Sequence, residues 1–154
     1  MSFGGRSFDL PVLAVRAMLH EVHVPRLLDL QSGSETSRHL DLLEEVRRDS
    51  HFPSLAQLCA PFSITVGGKP LKKNAEPLSP GDWRLLEECC ETNAVACWLA
   101  AQFWTEVHTP GRARVRWRDF ARWAEAHAAE HPHLLSFAKV SPRPGLSLGL
   151  TAFR

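Results

Sequence analysis

No stretch of this sequence approaches the roughly 20 consecutive apolar residues that a bilayer-spanning helix requires, so no membrane partner is expected. Residues 1–10 lack both the basic start and the apolar core of a secretory signal, which points to a cytoplasmic or nuclear protein. An excess of either charge is missing too. Lys plus Arg number 18 against 17 Asp plus Glu, and the resulting net charge of +1 exerts no global pull on nucleic acid or anionic lipid. Any such pull must be local. Cysteine is scarce: Cys59, Cys89, Cys90 and Cys97 include an adjacent pair and show no C-x2-C spacing. A disulfide framework and a sequence-encoded zinc cluster are both disfavoured, and reduced, partly buried thiols are expected. No G-x-S-x-G elbow, P-loop, H-E-x-x-H or G-x-G-x-x-G is present. The chain therefore carries no catalytic signature, and neither a cofactor nor a metal is predicted.

What is present suits a folded domain. Apolar residues make up 44% of the 154 and charged residues 23%, close to ordinary globular composition. A single domain of this length buries roughly two-thirds of its unfolded surface. Residues 1–7 read as a loose, glycine-containing lead-in. Asp9 then caps a first helix with Pro11 in its first turn and Leu10, Leu13, Val15, Ala17, Met18, Leu19 and Val22 along a broad apolar face. Pro25 restarts it as a short piece to Leu30. Thr36 or Ser37 opens a second helix with Leu40, Leu42, Leu43 and Val46 on one side, and Ser54 caps a short third one ended by Pro61. The run 62–66 switches to period two before Gly67 and Gly68, the pattern of a small β ribbon.

Residues 69–80 hold three prolines and form a connector between an 8–68 half and an 81–139 half. Ser79-Pro80-Gly81-Asp82 is a helix entry. Trp83, Leu85 and Leu86 line that helix, and Asn93 caps another that runs to Val107 with Val95, Trp98, Leu99 and Phe103 at steps of three and four. After the loop 108–112, Ala113 to Trp117 reads as a strand, and Arg118 or Asp119 opens a last helix with Phe120, Trp123, Ala124 and His127 inward. Residues 140–154 form a tail, or a terminal strand pairing with the 62–66 ribbon.

The sharpest local signal is a row of arginines. Arg112, Arg114, Arg116 and Arg118 alternate with Ala113, Val115 and Trp117, and Arg122 follows a helical turn later. In an extended strand the four would share one face and pair with phosphates, with Trp117 or Trp123 stacking on bases. The competing reading has Val115 and Trp117 facing the core while the arginines are solvated or paired with Glu106 and Asp119. It is favoured by the near-zero net charge. His127, His131 and His133 sit near a helix end, where they read as exposed partners of the helix dipole rather than metal ligands. Trp104, off the main apolar face of its helix, is the candidate surface anchor.

A Phe103-Trp104 pair closing one helix, followed by Val115-Arg116-Trp117-Arg118-Asp119-Phe120 opening the next, resembles the EF-hand-like segment of Cbl-type adaptor ubiquitin ligases over residues 95–123. The resemblance implies a degenerate EF-hand used as a scaffold. Aligned on Val115, the ligand positions fall on His108, Pro110 and Arg112, none of which binds calcium through its side chain. The expectation is thus a mainly α domain of about six helices with a small β ribbon, its second half an EF-hand-like pair. It would act as a non-catalytic adaptor for another protein, with phosphate or nucleic-acid binding through Arg112 to Arg118 as the alternative.

Overall fold

The computed structural model describes residues 1–24, 39–46, 53–67, 79–106 and 111–140. Among these residues the chain is mainly helical and contains no strand. Six α-helices occur: α1 (Asp9–Leu19), α2 (Leu42–Val46), α3 (Leu55–Cys59), α4 (Pro80–Thr105), α5 (Arg112–Ala126) and α6 (Ser136–Lys139). Two 3-10 turns accompany them, η1 (Ala60–Phe62) and η2 (Pro132–Leu135). The chain divides into two compact units, Met1–Leu55 and Ala56–Arg154. The expected start of a helix at Thr36 or Ser37, the piece from Pro25 to Leu30, the loop at 108–110, the connector 69–78 and the segment 141–154 lie outside the described residues.

In the first unit, residues 2–6 are no loose lead-in. Ser2 makes a parallel bridge to Asp41, with Ser2 N–H donating to the Leu40 carbonyl and Leu42 N–H to the Ser2 carbonyl, both at 2.9 Å. Asp41 is the centre of this arrangement and is 2% exposed. Its carboxylate accepts the backbone N–H groups of Gly4 and Arg6, each at 2.7 Å, and of Leu43 at 3.2 Å. Gly4 has φ +76, a left-handed conformation that a side chain would strain. Arg6 closes the arrangement by pairing with Glu44 at 2.7 Å and donating to the His39 carbonyl at 2.9 Å. Helix α1 begins at Asp9, one residue earlier than a cap at Asp9 would place it, with Phe8 as the N-cap. Of its expected apolar face only Leu10 is buried, whereas Leu13, Val15 and Leu19 are exposed and Met18 is 78% exposed.

The second unit is built on aromatic packing. The entry predicted at Ser79 is a capping box: Asp82 N–H donates to the Ser79 hydroxyl at 3.3 Å, and Ser79 N–H to the Asp82 carboxylate at 2.9 Å. The helix that follows does not stop at Asn93. It runs unbroken to Thr105, and Asn93 points sideways to accept the Gly67 N–H at 3.0 Å. The rest of the expected hairpin turn, from Gly68 onward, lies outside the described residues. A Cβ on Gly67 would come within 2.8 Å of the Cys89 carbonyl oxygen, so the missing side chain lets residue 67 lie against α4. Upstream, Phe62 ends η1 and Ser63 takes a left-handed φ of 58, which breaks the extended run that a ribbon needs.

The expected strand Ala113 to Trp117 is the first part of α5. The apolar residues 113, 115 and 117 fit period two, but 113, 117, 120 and 124 fit the helical period equally well, and Arg and Ala are strong helix formers. Burial decides between them. Ala113, Trp117 and Ala124 are buried while Val115 is 46% exposed. Trp117 donates its indole N–H to the Phe137 carbonyl at 2.8 Å and meets Phe103 edge-on at 6.2 Å. Phe120 bridges Trp98 at 6.1 Å and Phe137 at 5.7 Å, and Phe62 stacks on Phe103 at 4.6 Å. With no strand between α4 and α5 among the described residues, the EF-hand order of helix, loop, strand and helix is absent there.

Candidate nucleic-acid interface

Helical geometry re-sorts the arginine row. On a strand Arg112, Arg114, Arg116 and Arg118 would share a face, but on α5 neighbours on one side lie three or four residues apart. Arg114, Arg118 and Arg122 therefore form one stripe, and Arg112 and Arg116 another. All five are exposed. None of the salt bridges among the described residues involves Arg112, Arg116, Arg118 or Arg122.

The start of α5 explains why the stripe is placed so firmly. Gly111 takes a left-handed φ of 87 as the N-cap and has no side chain to offer. The cap comes instead from Glu106 at the end of α4, whose carboxylate accepts the N–H of Gly111 and, at 3.0 Å, that of Ala113. A carboxylate on exposed helix N–H groups also meets the positive end of the helix dipole. Glu106 thus binds backbone, whereas the sequence suggested it as a partner for the arginines.

Beside the first stripe lies a groove of about 480 Å³. Arg114 and Arg118 line one side, Lys139 and Val140 the other, and Trp117, Ala121, Phe137 and Ala138 complete it. Three cationic side chains around one apolar-floored groove suit a phosphate backbone, since each cation that neutralises a phosphate releases a condensed counterion. Stacking on Trp117 is excluded by its 2% exposure. Trp123 is exposed, but its ring is stacked on His127 at 4.5 Å. Trp104 is 41% exposed near the end of α4, and the groove is not lined by it.

A second polar cluster was not legible in the sequence. Glu91, in the middle of α4, accepts from or faces His131 Nδ1 at 3.1 Å and His133 Nε2 at 2.8 Å through the same oxygen, Oε2. The histidines were visible as a group, but nothing in the sequence pointed to Glu91, which lies 40 and 42 residues away. His127, expected to share a face with His131, is the residue that ends α5 and turns its Nδ1 to the Trp123 carbonyl at 2.8 Å. The cysteines form no disulfide: Cys59 and Cys97 are buried, Cys89 is partly so and Cys90 is exposed. Burial, and then the neighbouring Cys97, push the Cys59 thiol up to about 11, so it stays protonated and unreactive at neutral pH.

A basic helical stripe beside a groove lined by Arg114, Arg118 and Lys139 is chemically suited to anionic groups. A model of one protein family, described as a predicted 3'-5' exonuclease related to the exonuclease domain of PolB, matches residues 1–137. The chain belongs to this family. No curated protein and no solved structure matches it. The family match overturns the resemblance to Cbl-type adaptors and, with it, the expectation of a non-catalytic adaptor or scaffold: the family is described by an enzymatic activity on nucleic acid. The short EF-hand-like resemblance rested on a few apolar positions around Trp117, and those positions are explained by the packing of a continuous helix.

Nucleases commonly place two ions about 3.5–4 Å apart, and the hard ions used in phosphoryl chemistry are held by carboxylates. Among the described residues, the one group of three or more His, Cys, Asp or Glu side chains close enough to share an ion is Glu91, His131 and His133. It brings a single carboxylate and does not fit a carboxylate-built ion pair. Asp41, the most buried acid, has its oxygens taken up by three backbone N–H groups and serves the fold.

Proposed function

We propose that this protein engages a nucleic-acid strand through the Arg114, Arg118 and Arg122 stripe with Lys139, and acts as a 3'-5' exonuclease. The family match over residues 1–137 carries the substrate and reaction class. The groove lined by Arg114, Arg118 and Lys139 supports the location. In such a reaction water adds to the phosphorus of the 3'-terminal phosphodiester and the bond to the upstream 3' oxygen breaks. A nucleoside monophosphate leaves and a new 3' hydroxyl remains. The stripe's role is to hold the backbone in register, because cations spaced one helical turn apart meet successive phosphates without reading bases.

The test is a 5'-labelled single-stranded oligonucleotide incubated with the full chain and a divalent cation. The reading expects stepwise shortening from the 3' end, and the variant R114S/R118S/R122S should both slow it and weaken binding. Each lost phosphate contact on a single strand flattens the slope of log affinity against log salt by about 0.7, so the triple variant should lose about 2 units of slope. An oligonucleotide that stays full length and unbound at low salt would contradict the proposal.

A further inference from the structure

We infer that Glu91, His131 and His133 form a binding site for one zinc-class divalent ion. The inference does not depend on the nucleic-acid reading. Its basis is convergence: the ligand-capable atoms of three side chains from two separate parts of the second unit all lie within 4.8 Å of one another. Zinc bonds to imidazole nitrogen and carboxylate oxygen are about 2.0–2.2 Å, which puts ligand atoms about 3.3–3.6 Å apart around a tetrahedral ion. The Glu91 Oε2 distances of 3.1 Å to His131 Nδ1 and 2.8 Å to His133 Nε2 are already within about 0.8 Å of that edge. Two histidines and one glutamate, with a fourth position left to solvent, is a ligand set used by catalytic zinc.

The donors are held in place by the local structure. Glu91 projects from the interior of the 26-residue helix α4, which fixes its backbone far from either end. His131 and His133 flank Pro132, whose ring fixes its own φ and restricts the residue before it, so the two histidines have little backbone freedom between them. Trp123 packs against the His131 ring at a centroid distance of 5.6 Å. The other nitrogen of His133, Nδ1, is buried with no hydrogen-bond partner, so the polar engagement of that ring is through Nε2, on the side of Glu91. Imidazole donors favour zinc, cobalt or nickel, whereas magnesium and calcium prefer all-oxygen sites.

The alternative is that Glu91 simply pairs with the two imidazoles, and metal titration separates the cases. Zn²⁺ is titrated into the full chain in competition with a chromophoric chelator, and Co²⁺ is used alone as a spectroscopic probe. One ion per chain is expected, with a cobalt spectrum free of thiolate charge transfer and affinity unchanged when Cys59, Cys89, Cys90 and Cys97 are all serine. Glu91→Gln and His133→Asn should each weaken binding by more than about 100-fold, because losing even an outer-shell partner of a metal ligand costs 10–100-fold. If those variants do not fold, the ring resonances of His131 and His133 in the wild-type chain give the answer: they should move on addition of Zn²⁺. Histidine resonances that stay put, binding that survives E91Q, or a cobalt spectrum showing thiolate ligation would each overturn the site.

Discussion

The two units of this chain are held together by different physics. In Met1–Leu55 the organising residue is a charge, Asp41, which gathers three backbone N–H groups from the N-terminal segment and its own helix. The apolar side chains of α1 contribute little there, since all of them except Leu10 are partly or largely exposed. In Ala56–Arg154 the organising residues are aromatic: Trp117, Phe137 and Phe120 pack together, and hydrogen bonds serve mainly to position them. A core of the second kind is indifferent to pH, whereas one of the first kind depends on an ionised carboxylate. The units should therefore fail under different conditions.

The largest effect is expected from Trp117→Ala, which empties a buried aromatic site and orphans the Phe137 carbonyl. Truncations of this kind cost about 3–5 kcal/mol, and thermal unfolding should show the loss in the second unit. Asp41→Ala should follow at about 3 kcal/mol, because three buried or half-buried N–H groups lose their acceptor. Segment-resolved hydrogen exchange should show faster exchange at Gly4, Arg6 and Leu43 while α4 and α5 keep their protection. Equal deprotection of both units would contradict the comparison.

Acid offers a gentler version of the same test. Burial raises the pKa of Asp41, but the N–H groups of Arg6 and Gly4, the Ser2 hydroxyl and the Leu43 N–H outweigh it and hold the carboxyl below its ordinary value. Its stabilisation is complete above the unfolded carboxylate value of about 3.9 and is lost as pH falls through the lower folded value. His39 acts in the same direction at higher pH. Burial, and then the Met1 amino group, lower its pKa, so its contribution is complete above about 6.5 and is lost as pH falls below that. The first unit should loosen in two steps as pH falls, with the second unit intact through the first step. The smallest effect concerns thiol chemistry. At neutral pH a short alkylating pulse should label the exposed Cys90 and spare Cys59, whose thiol is pushed up to about 11, and mass spectrometry reads the difference.

The legible parts of this fold were those whose chemistry is local. The capping box pairs Ser79 with Asp82 three positions on and was readable as a helix entry, and the helical character of most of the described residues followed from spacing. Asp41 was invisible because its partners lie 35 and 37 residues away, and a lone Asp beside leucines carries no sign of burial. Gly67 was hard to read for a related reason: a glycine permits a turn, but it also permits close approach, and the approach to Cys89 lies 22 residues away in sequence. The arginine row misled through its period. Alternation at 112, 114, 116 and 118 suggests a strand, and the deciding residues are Phe120 and Ala124, which extend the apolar spacing into a helix. No short motif marked the family, and its match extends over residues 1–137, so it was not recoverable from the few positions around Trp117.

The two arginine stripes of α5 provide the most direct test of the central claim, because they share a helix but face different sides, three arginines on one and two on the other. Binding of a single-stranded oligonucleotide, measured at several salt concentrations, should be weakened and its salt dependence flattened in R114S/R118S/R122S. It should be far less affected in R112S/R116S. Equal losses from both variants would reduce the stripe to nonspecific positive charge, and unchanged binding in the triple variant would place the nucleic acid elsewhere on the protein.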